Sequence, residues 1–373
     1  MHMKILFFLG LILFTFSHAQ IKYMDNHACN ECHEKIYDEF QHSAHAHSFL
    51  TDELHRKVAN AADPKRYECA ACHMPMADNL ADLVSGKARP DPHNKTHSDG
   101  VSCFFCHTIA YVKKAHAFNQ NIPARQADHY KPTLYGRLDR PDDSDKHSSV
   151  KSPIYGKMAC LGCHAHKINE NNVTIFQAMD ATQDSRECIR CHMPEVTGGA
   201  EKMDKRARGH HARHDFLGIR DAKFRAEGYE INVTREPKGL AVTLVNKMGH
   251  PMIIQPARAK YLDIIVRRKQ KQIWHNYRKD PAEDSAAYFV YRFFKDGKAI
   301  PLPTHATSSR VNNLAGNAHK TLHYVIPGLL SGDQVSVTLY ARLAKEECAD
   351  AVSLDDPGWT KPMRIKQLRW IVP

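Results

Sequence analysis

Five times between residues 29 and 192 the chain places a cysteine, two intervening residues, a second cysteine and then a histidine. The units are Cys29/Cys32/His33, Cys69/Cys72/His73, Cys103/Cys106/His107, Cys160/Cys163/His164 and Cys188/Cys191/His192, and they use ten of the eleven cysteines. Zinc sites also use paired cysteines, but a structural zinc usually takes two such pairs and has no histidine fixed at the next position. Here the number of pairs is odd and every one carries the histidine. Disulfides are the default for cysteines in a secreted chain, and a redox dithiol is single and stands beside a βαβ pattern. The repeat fits neither. Two thiols with two residues between them reach the two vinyl groups of one porphyrin, and the next histidine then lies under its iron. The spacing predicts five covalently attached haems of the c type, with His33, His73, His107, His164 and His192 as proximal ligands.

An iron that only transfers electrons takes a second axial ligand. The chain has 26 histidines; five belong to the motifs and His2 and His18 lie in the N-terminal leader, which leaves nineteen. Met74 and Met193 directly follow motif histidines, too close to reach the far side of the same iron. Each precedes a proline (Pro75, Pro194), which reads as a turn ending the motif helix. Bis-histidine ligation is therefore expected, and it gives lower potentials than His/Met. Spacing offers clusters at His42/His45/His47, His93/His97, His116/His129, His147 and His210/His211/His214.

The first residues have another character. Lys4, a nearly unbroken apolar run from Ile5 to Phe16 and the small-x-small end Ser17-His18-Ala19 form the three parts of a secretory signal. The run is short for a membrane span, so residues 1–19 are expected to be removed and the protein to act in the periplasm or outside the cell. The formal charge is +11. It does not point to nucleic acid, since a secreted chain rarely meets any and no Lys/Arg-rich arm stands out. Five haems would bring about ten propionates, and the basic surplus is their counter-charge.

After Gly218 the motifs stop and the pattern becomes that of strands. Val335, Val337 and Leu339 alternate with Ser336, Thr338 and Tyr340. Further strand candidates are Tyr229–Val233, Leu240–Val245, Tyr261–Arg267, Ala287–Phe294, Thr321–Ile326 and Met363–Ile371. About seven short strands with turns such as Lys295-Asp296-Gly297 suggest a β-sandwich. The expected class is α+β: a helical and loop-rich haem domain over 20–219, with haems filling the core that side chains do not, followed by an all-β, sandwich-like domain over 220–373. Cys348 is left over and is expected to be a buried or tolerated thiol.

Several stretches resemble the cytochrome c554-like multihaem cytochromes. Cys29 to Ala46 reads CNECHEKIYDEFQHSAHA, similar to that family's motif followed by a helix ending in Ser-x-His, with Phe40 where Trp is usual. His97 to His107 reads HSDGVSCFFCH, similar to its His-x-x-Gly-Val-x-Cys-x-x-Cys-His. His147 stands thirteen residues before Cys160, His214 opens a His-x-Phe-x-Gly signature, and Asn246 to Arg258 resembles an Asn-x-x-Gly-His motif followed by Pro and Arg, although Pro251 follows His250 at once. The resemblance spans the mature chain and implies His45, His97, His147, His214 and His250 as distal ligands. It implies an electron carrier in a bacterial anaerobic or microaerobic respiratory chain, placed between a membrane quinol-oxidising cytochrome and a terminal reductase. Two rival expectations stand beside it. One is an oxidoreductase acting on a small nitrogen or sulfur compound at a haem lacking its distal ligand, although the Cys-x-x-Cys-Lys type is missing. The other is a self-associating subunit of an extracellular haem polymer.

Overall fold

The structure, a computed structural model, describes residues 23–126, 131–178, 185–199 and 208–373. The leader expected at 1–19 lies outside them. Among the described residues no helix is long and apolar enough to cross a membrane.

Up to residue 227 the described elements are short. Helices of four to ten residues, such as Glu34–Gln41, Glu53–Ala62 and Cys103–Thr108, alternate with loops and with four two-stranded sheets. Side chains fix where the helices begin. Asp25, Asp52, Ser102 and Asp221 each accept a hydrogen bond from a backbone N–H of the first turn, satisfying donors that have no partner inside the helix. The apolar clusters here are small: seven buried residues around Phe49, Leu83 and Met74, and three around Val101, Phe105 and Ile109. The small strand pairs, for example Ile109–Lys113 with Gln120–Pro123, were not expected from the sequence. Their segments are too short to show a period.

From Tyr229 onward the chain is largely strand. All seven strand candidates are strands, with ends shifted by up to three residues, and Lys271–His275, Lys298–Ile300 and Ser308–Asn312 are added to them. A three-stranded antiparallel sheet has the strand Gly239–Asn246 between His319–Val325 and Tyr229–Glu236. A seven-stranded sheet centres on Ala259–Arg268 and Gln334–Arg342, which pair antiparallel along nine residues. Alternate residues of both sheets, among them Ile231, Leu240, Val242, Ile264, Val337 and Leu339, meet in one continuous core. Period-two patterning predicts this arrangement of two layers with their apolar faces turned inward.

The two parts meet along a seam. The helix Glu53–Ala62 inserts Leu54 beside Ala344, Cys348 and Ala349. The Glu53 carboxylate accepts from the Trp359 indole at 2.9 Å, and Lys57 pairs with Asp355 at 2.9 Å. Cys348 is 1% exposed and fills part of that seam as an apolar side chain; burial pushes its thiol pKa up.

Candidate haem sites

Each motif folds as a helical turn, and this gives its spacing a purpose. Residues i, i+3 and i+4 share a helix face, so the two thiols and the imidazole project together. The turn is closed by the histidine N–H donating to the first cysteine's carbonyl, at 2.9 Å for His33, 3.0 Å for His73 and 2.9 Å for His164.

The ten motif cysteines, equivalent in the sequence, are not equivalent in the structure. Eight are half-buried, as attachment points enclosed by protein would be, but Cys32 and Cys191 are exposed. These are the second cysteines of the first and fifth motifs. The reason is where the chain packs. The first cysteine of the first motif, Cys29, lies against Cys103 of the third, while Cys32 sits in the turn between Asn26–Asn30 and Glu34–Gln41, beside the exposed Glu31. Cys191 follows the exposed Arg190 near the end of its helix Ser185–His192. At these two positions the protein alone does not enclose the thiol, so spacing identifies them as attachment residues and burial does not.

Opposite each motif histidine stands a second one. Ring centroids are 6.1 Å apart for His33 and His147, 5.9 Å for His164 and His45, 6.3 Å for His107 and His214, and 6.3 Å for His192 and His250. Two imidazole nitrogens each about 2.0–2.1 Å from one metal, with ring centroids ~1.1 Å further back, lie ~6.3 Å centroid to centroid. Four pairs are therefore set for a metal between the rings. The fifth pair is His73 with His55, at 4.6 Å and 41°.

The hydrogen bonds prepare the rings. Nδ1 of His73, His107, His192, His214 and His250 donates to the carbonyls of Ser48, Tyr135, Leu217, Ala212 and Pro251, at 2.5 to 2.9 Å. A proton held on Nδ1 leaves Nε2 bare for a metal. Burial drives these imidazoles toward the neutral form a metal requires. It pushes His45 and His73 down to about 3 and His214 to about 4, with neighbouring histidines adding to the effect. His107, His147, His164 and His250 shift the same way, burial being the largest cause.

The structure thus brings His45, His147, His214 and His250 opposite motif histidines, but not His97. His97 is 1% exposed and both its nitrogens are committed. Nδ1 accepts from the Asp91 N–H at 3.0 Å, and Nε2 donates to Asn79 Oδ1 at 2.8 Å. That is the opposite tautomer, and the ring stitches the loop before the third motif. The candidate at the second site is His55, three residues after the cap Asp52, whose Oδ2 lies 3.1 Å from its Nδ1. Only that Asp-x-x-His start of an amphipathic helix marked His55 in the sequence, and it is equally the mark of an ordinary cap.

Two of the sequence signatures acquire physical reasons. Gly100, at φ +63°, would place a side chain 2.6 Å from the His45 carbonyl, and Val101 N–H donates to that carbonyl at 3.1 Å. The Gly-Val pair therefore seats the loop carrying His45. Asn246 is fully buried. Its amide donates to the carbonyls of His250, Leu314 and Ala315, while its Oδ1 accepts from Met248 N–H, so it shapes the turn presenting His250. Gly316 lets that turn close, since a Cβ there would lie 2.7 Å from the His250 nitrogen.

The sites adjoin one another. The Cys29 thiol lies beside that of Cys103, and Cys72 beside that of Cys163. A cavity of about 210 Å³ opens beside the second contact, walled by Cys72, Cys163, Leu80, Phe105 and Phe118. A larger cavity of about 340 Å³ lies at the Lys238 and Pro327 turns and involves none of the paired histidines. Phe216 stands between His45 at 4.3 Å and His214 at 6.2 Å.

Residues 28–108, which hold the first three motifs, match the family model of cytochrome c554 and c-prime. Over that segment the chain resembles the multihaem c-type cytochromes. Among solved structures it is similar to a penta-heme cytochrome c552 from Thermochromatium tepidum. The two are 21% identical, the match covers 94% of this chain and 99% of that one, and the TM-score is 0.74, so they share a fold. No curated protein matches. The donor sets fit c-type haem. Each offers two thiols and an imidazole on one helix face, with a second imidazole across from them, and among the described residues no three or more His, Cys, Asp or Glu side chains gather as a metal cluster.

Proposed function

We propose that this cytochrome carries five c-type haems, all with two histidine ligands, and passes electrons between redox proteins outside the cytoplasm in a bacterial respiratory chain. The observation that carries the reading is that every motif histidine faces a second histidine. The proposed pairs are His33/His147, His73/His55, His107/His214, His164/His45 and His192/His250.

A bound haem supplies an iron that gains and loses one electron; the chain's residues govern where and how easily. The cysteines fix each position, which suits a compartment where a lost cofactor is not easily replaced. The Nδ1 hydrogen bonds hold ring orientation and raise ligand basicity, favouring the oxidised iron. Two imidazoles per iron leave no coordination position for a substrate. The cysteine contacts and Phe216 support a continuous path in which the first and third sites adjoin, the third meets the fourth across Phe216, and the second and fifth lie beside the fourth. The exposure of Cys32 and Cys191 supports the first and fifth sites as the ends of that path, where a partner protein reaches the attachment edge. The export signal at 1–19 supports the compartment. A quinol-oxidising membrane cytochrome as donor and a terminal reductase as acceptor complete the proposal.

Pyridine haemochrome quantitation against protein mass is expected to give five haems per chain, and electron paramagnetic resonance of the oxidised protein to give only low-spin ferric signals. Four haems or fewer would end the five-haem reading. One observation favours a second reading: the His73 and His55 rings stand closer than an iron between them requires. If His55 swings away rather than back, the second site becomes an open position for a small nitrogen or sulfur compound. A high-spin signal in the parent that changes with added nitrite or hydroxylamine and is unaltered in His55→Ala would select that reading.

A further inference from the structure

The seam between the two parts gathers positive charge, with the Nε atoms of Arg56 and Arg258 buried and the exposed Arg220 beside Arg258. Arg258 lies just before the strand position of Lys260, and its Nε is buried without a hydrogen-bond partner. Arg56, one residue after His55, has a buried Nε in the same condition. Arg220 lies close enough to Arg258 to disfavour its charge and stacks on Trp359 at 5.2 Å. Lys260 is 7% exposed, donates to Tyr229 Oη at 2.7 Å and to the Met252 carbonyl at 2.6 Å, and faces both Arg258 and His250. The one carboxylate near Arg258 is Asp52, and it is already held by His55 and by its own helix N-terminus.

A buried guanidinium with an unused N–H is costly unless an anion meets it. Planar forks of this kind match carboxylates. The cluster sits where two histidine pairs approach the seam: Arg56 beside His55, and Lys260 beside His250. We propose that Arg56, Arg220 and Arg258, backed by Lys260, form a carboxylate seat that receives propionates of the haems at the second and fifth sites. The inference rests on the five-haem reading and adds to it which residues set the charge around those two haems. Cations beside a haem favour its reduced, less positive form. The seat therefore holds these two haems at higher potential than histidine ligation alone would give.

The test uses the full haem-loaded protein and its Arg258→Gln and Arg56→Gln variants. Haem content is checked first; fewer than five haems in the parent would count against the five-haem reading rather than the seat. Redox titration followed optically and by electron paramagnetic resonance then reads each haem. The seam haems are identified as those whose signals change in His55→Ala and His250→Ala. The expected result is a fall of about tenfold in the reduction constant of one or both seam haems, about 59 mV for a one-electron couple, with the other three unchanged. Arg258→Lys, which keeps the charge, is expected to restore most of it and remains informative if the Gln variants lose haem. Unchanged potentials at all five haems in loaded Gln variants overturn the inference. Parent potentials that move with added inorganic phosphate, in a way Arg258→Gln abolishes, also overturn it, because the seat would then hold a soluble anion.

Discussion

Glu39 offers a direct test of how the chain holds a distal histidine. One carboxylate oxygen accepts from His211 Nε2 at 2.9 Å and the other from the backbone N–H of His214 at 2.9 Å, so a residue on the helix after the first motif fixes the proposed ligand of the third site. Hydrogen bonds to a charged acceptor contribute ~1.5–3 kcal/mol each. Two of them, reduced for partial exposure and for sharing one group, give an expected loss of roughly 2–4 kcal/mol for Glu39→Ala. Glu39→Gln keeps one acceptor and is expected to lose about half of that. Burial alone would raise this carboxyl, but the His211 bond and the His214 N–H outweigh it and hold it below the usual range. The sign follows from the depressed value. The contribution is complete above the unfolded carboxylate range and is lost as pH falls through the folded value, so parent and variant converge in stability below about pH 4. The assays are guanidinium unfolding from pH 7 down to about pH 2 and the low-spin resonance of the third haem. An unfolding midpoint within ~0.5 kcal/mol of the parent, together with an unchanged resonance, would refute the reasoning.

His55→Ala is expected to turn one haem high-spin and leave four low-spin, whereas His97→Ala keeps five low-spin signals and loses ~1–3 kcal/mol from two broken buried hydrogen bonds; resonance spectra of the two variants decide, and the reverse pattern restores His97 as the ligand. Asn246→Ala removes the amide from the His250 carbonyl and the carboxamide oxygen from Met248 N–H, while the Leu314 and Ala315 carbonyls keep their backbone donors, with an expected cost of ~1–3 kcal/mol and a shifted spectrum at the fifth haem alone, measured by thermal unfolding and magnetic circular dichroism. Chain made without haem attachment is expected to keep the strand signal of the C-terminal part and lose the helical signal of the N-terminal part. Circular dichroism and hydrogen exchange read this directly, and protection retained equally in both parts would contradict it.

The five motifs and the strands were legible in the sequence, because both depend on local periodicity. A thiol pair with its histidine is a repeat of five residues, and a strand with one buried face alternates in register with its neighbours. That repeat says nothing of enclosure, so the exposure of Cys32 and Cys191 could not be read from it. Distal ligands are non-local, and their legibility varied with how much backbone each one needs. His250 was marked by Asn246, whose side chain builds the turn, and His45 by the Gly100-Val101 pair packed beneath its loop. His55 needs only a helix start, which any capped helix supplies, so nothing distinguished it. His97 carried a matching pattern for another reason: the Gly-Val that follows it serves His45, while the His97 ring serves its own loop. The short strand pairs of the first part, and Lys298–Ile300 in the second, were missed because three to five residues are too few for a period to show.

The division of apolar core between the two parts explains why a β part accompanies the five motifs at all. Twenty-six buried residues form the continuous core of the two sheets, against clusters of seven and three in the helical part. A polypeptide of that length cannot offset its conformational entropy with clusters so small, and the proposed haems would supply the missing apolar surface between its helices. The sheets face no such shortage, and they supply what loops wrapped on cofactors lack, a rigid frame. His250 is presented from that frame by the buried Asn246, and the helix bearing His55 is held on it through Leu54 and Glu53. Two of the five histidine pairs therefore have one ring positioned by the sheets, and the buried arginines gather at that same seam. Movement of the β part would disturb two neighbouring sites at once, while the first and third sites, built wholly within the helical part, would keep their geometry.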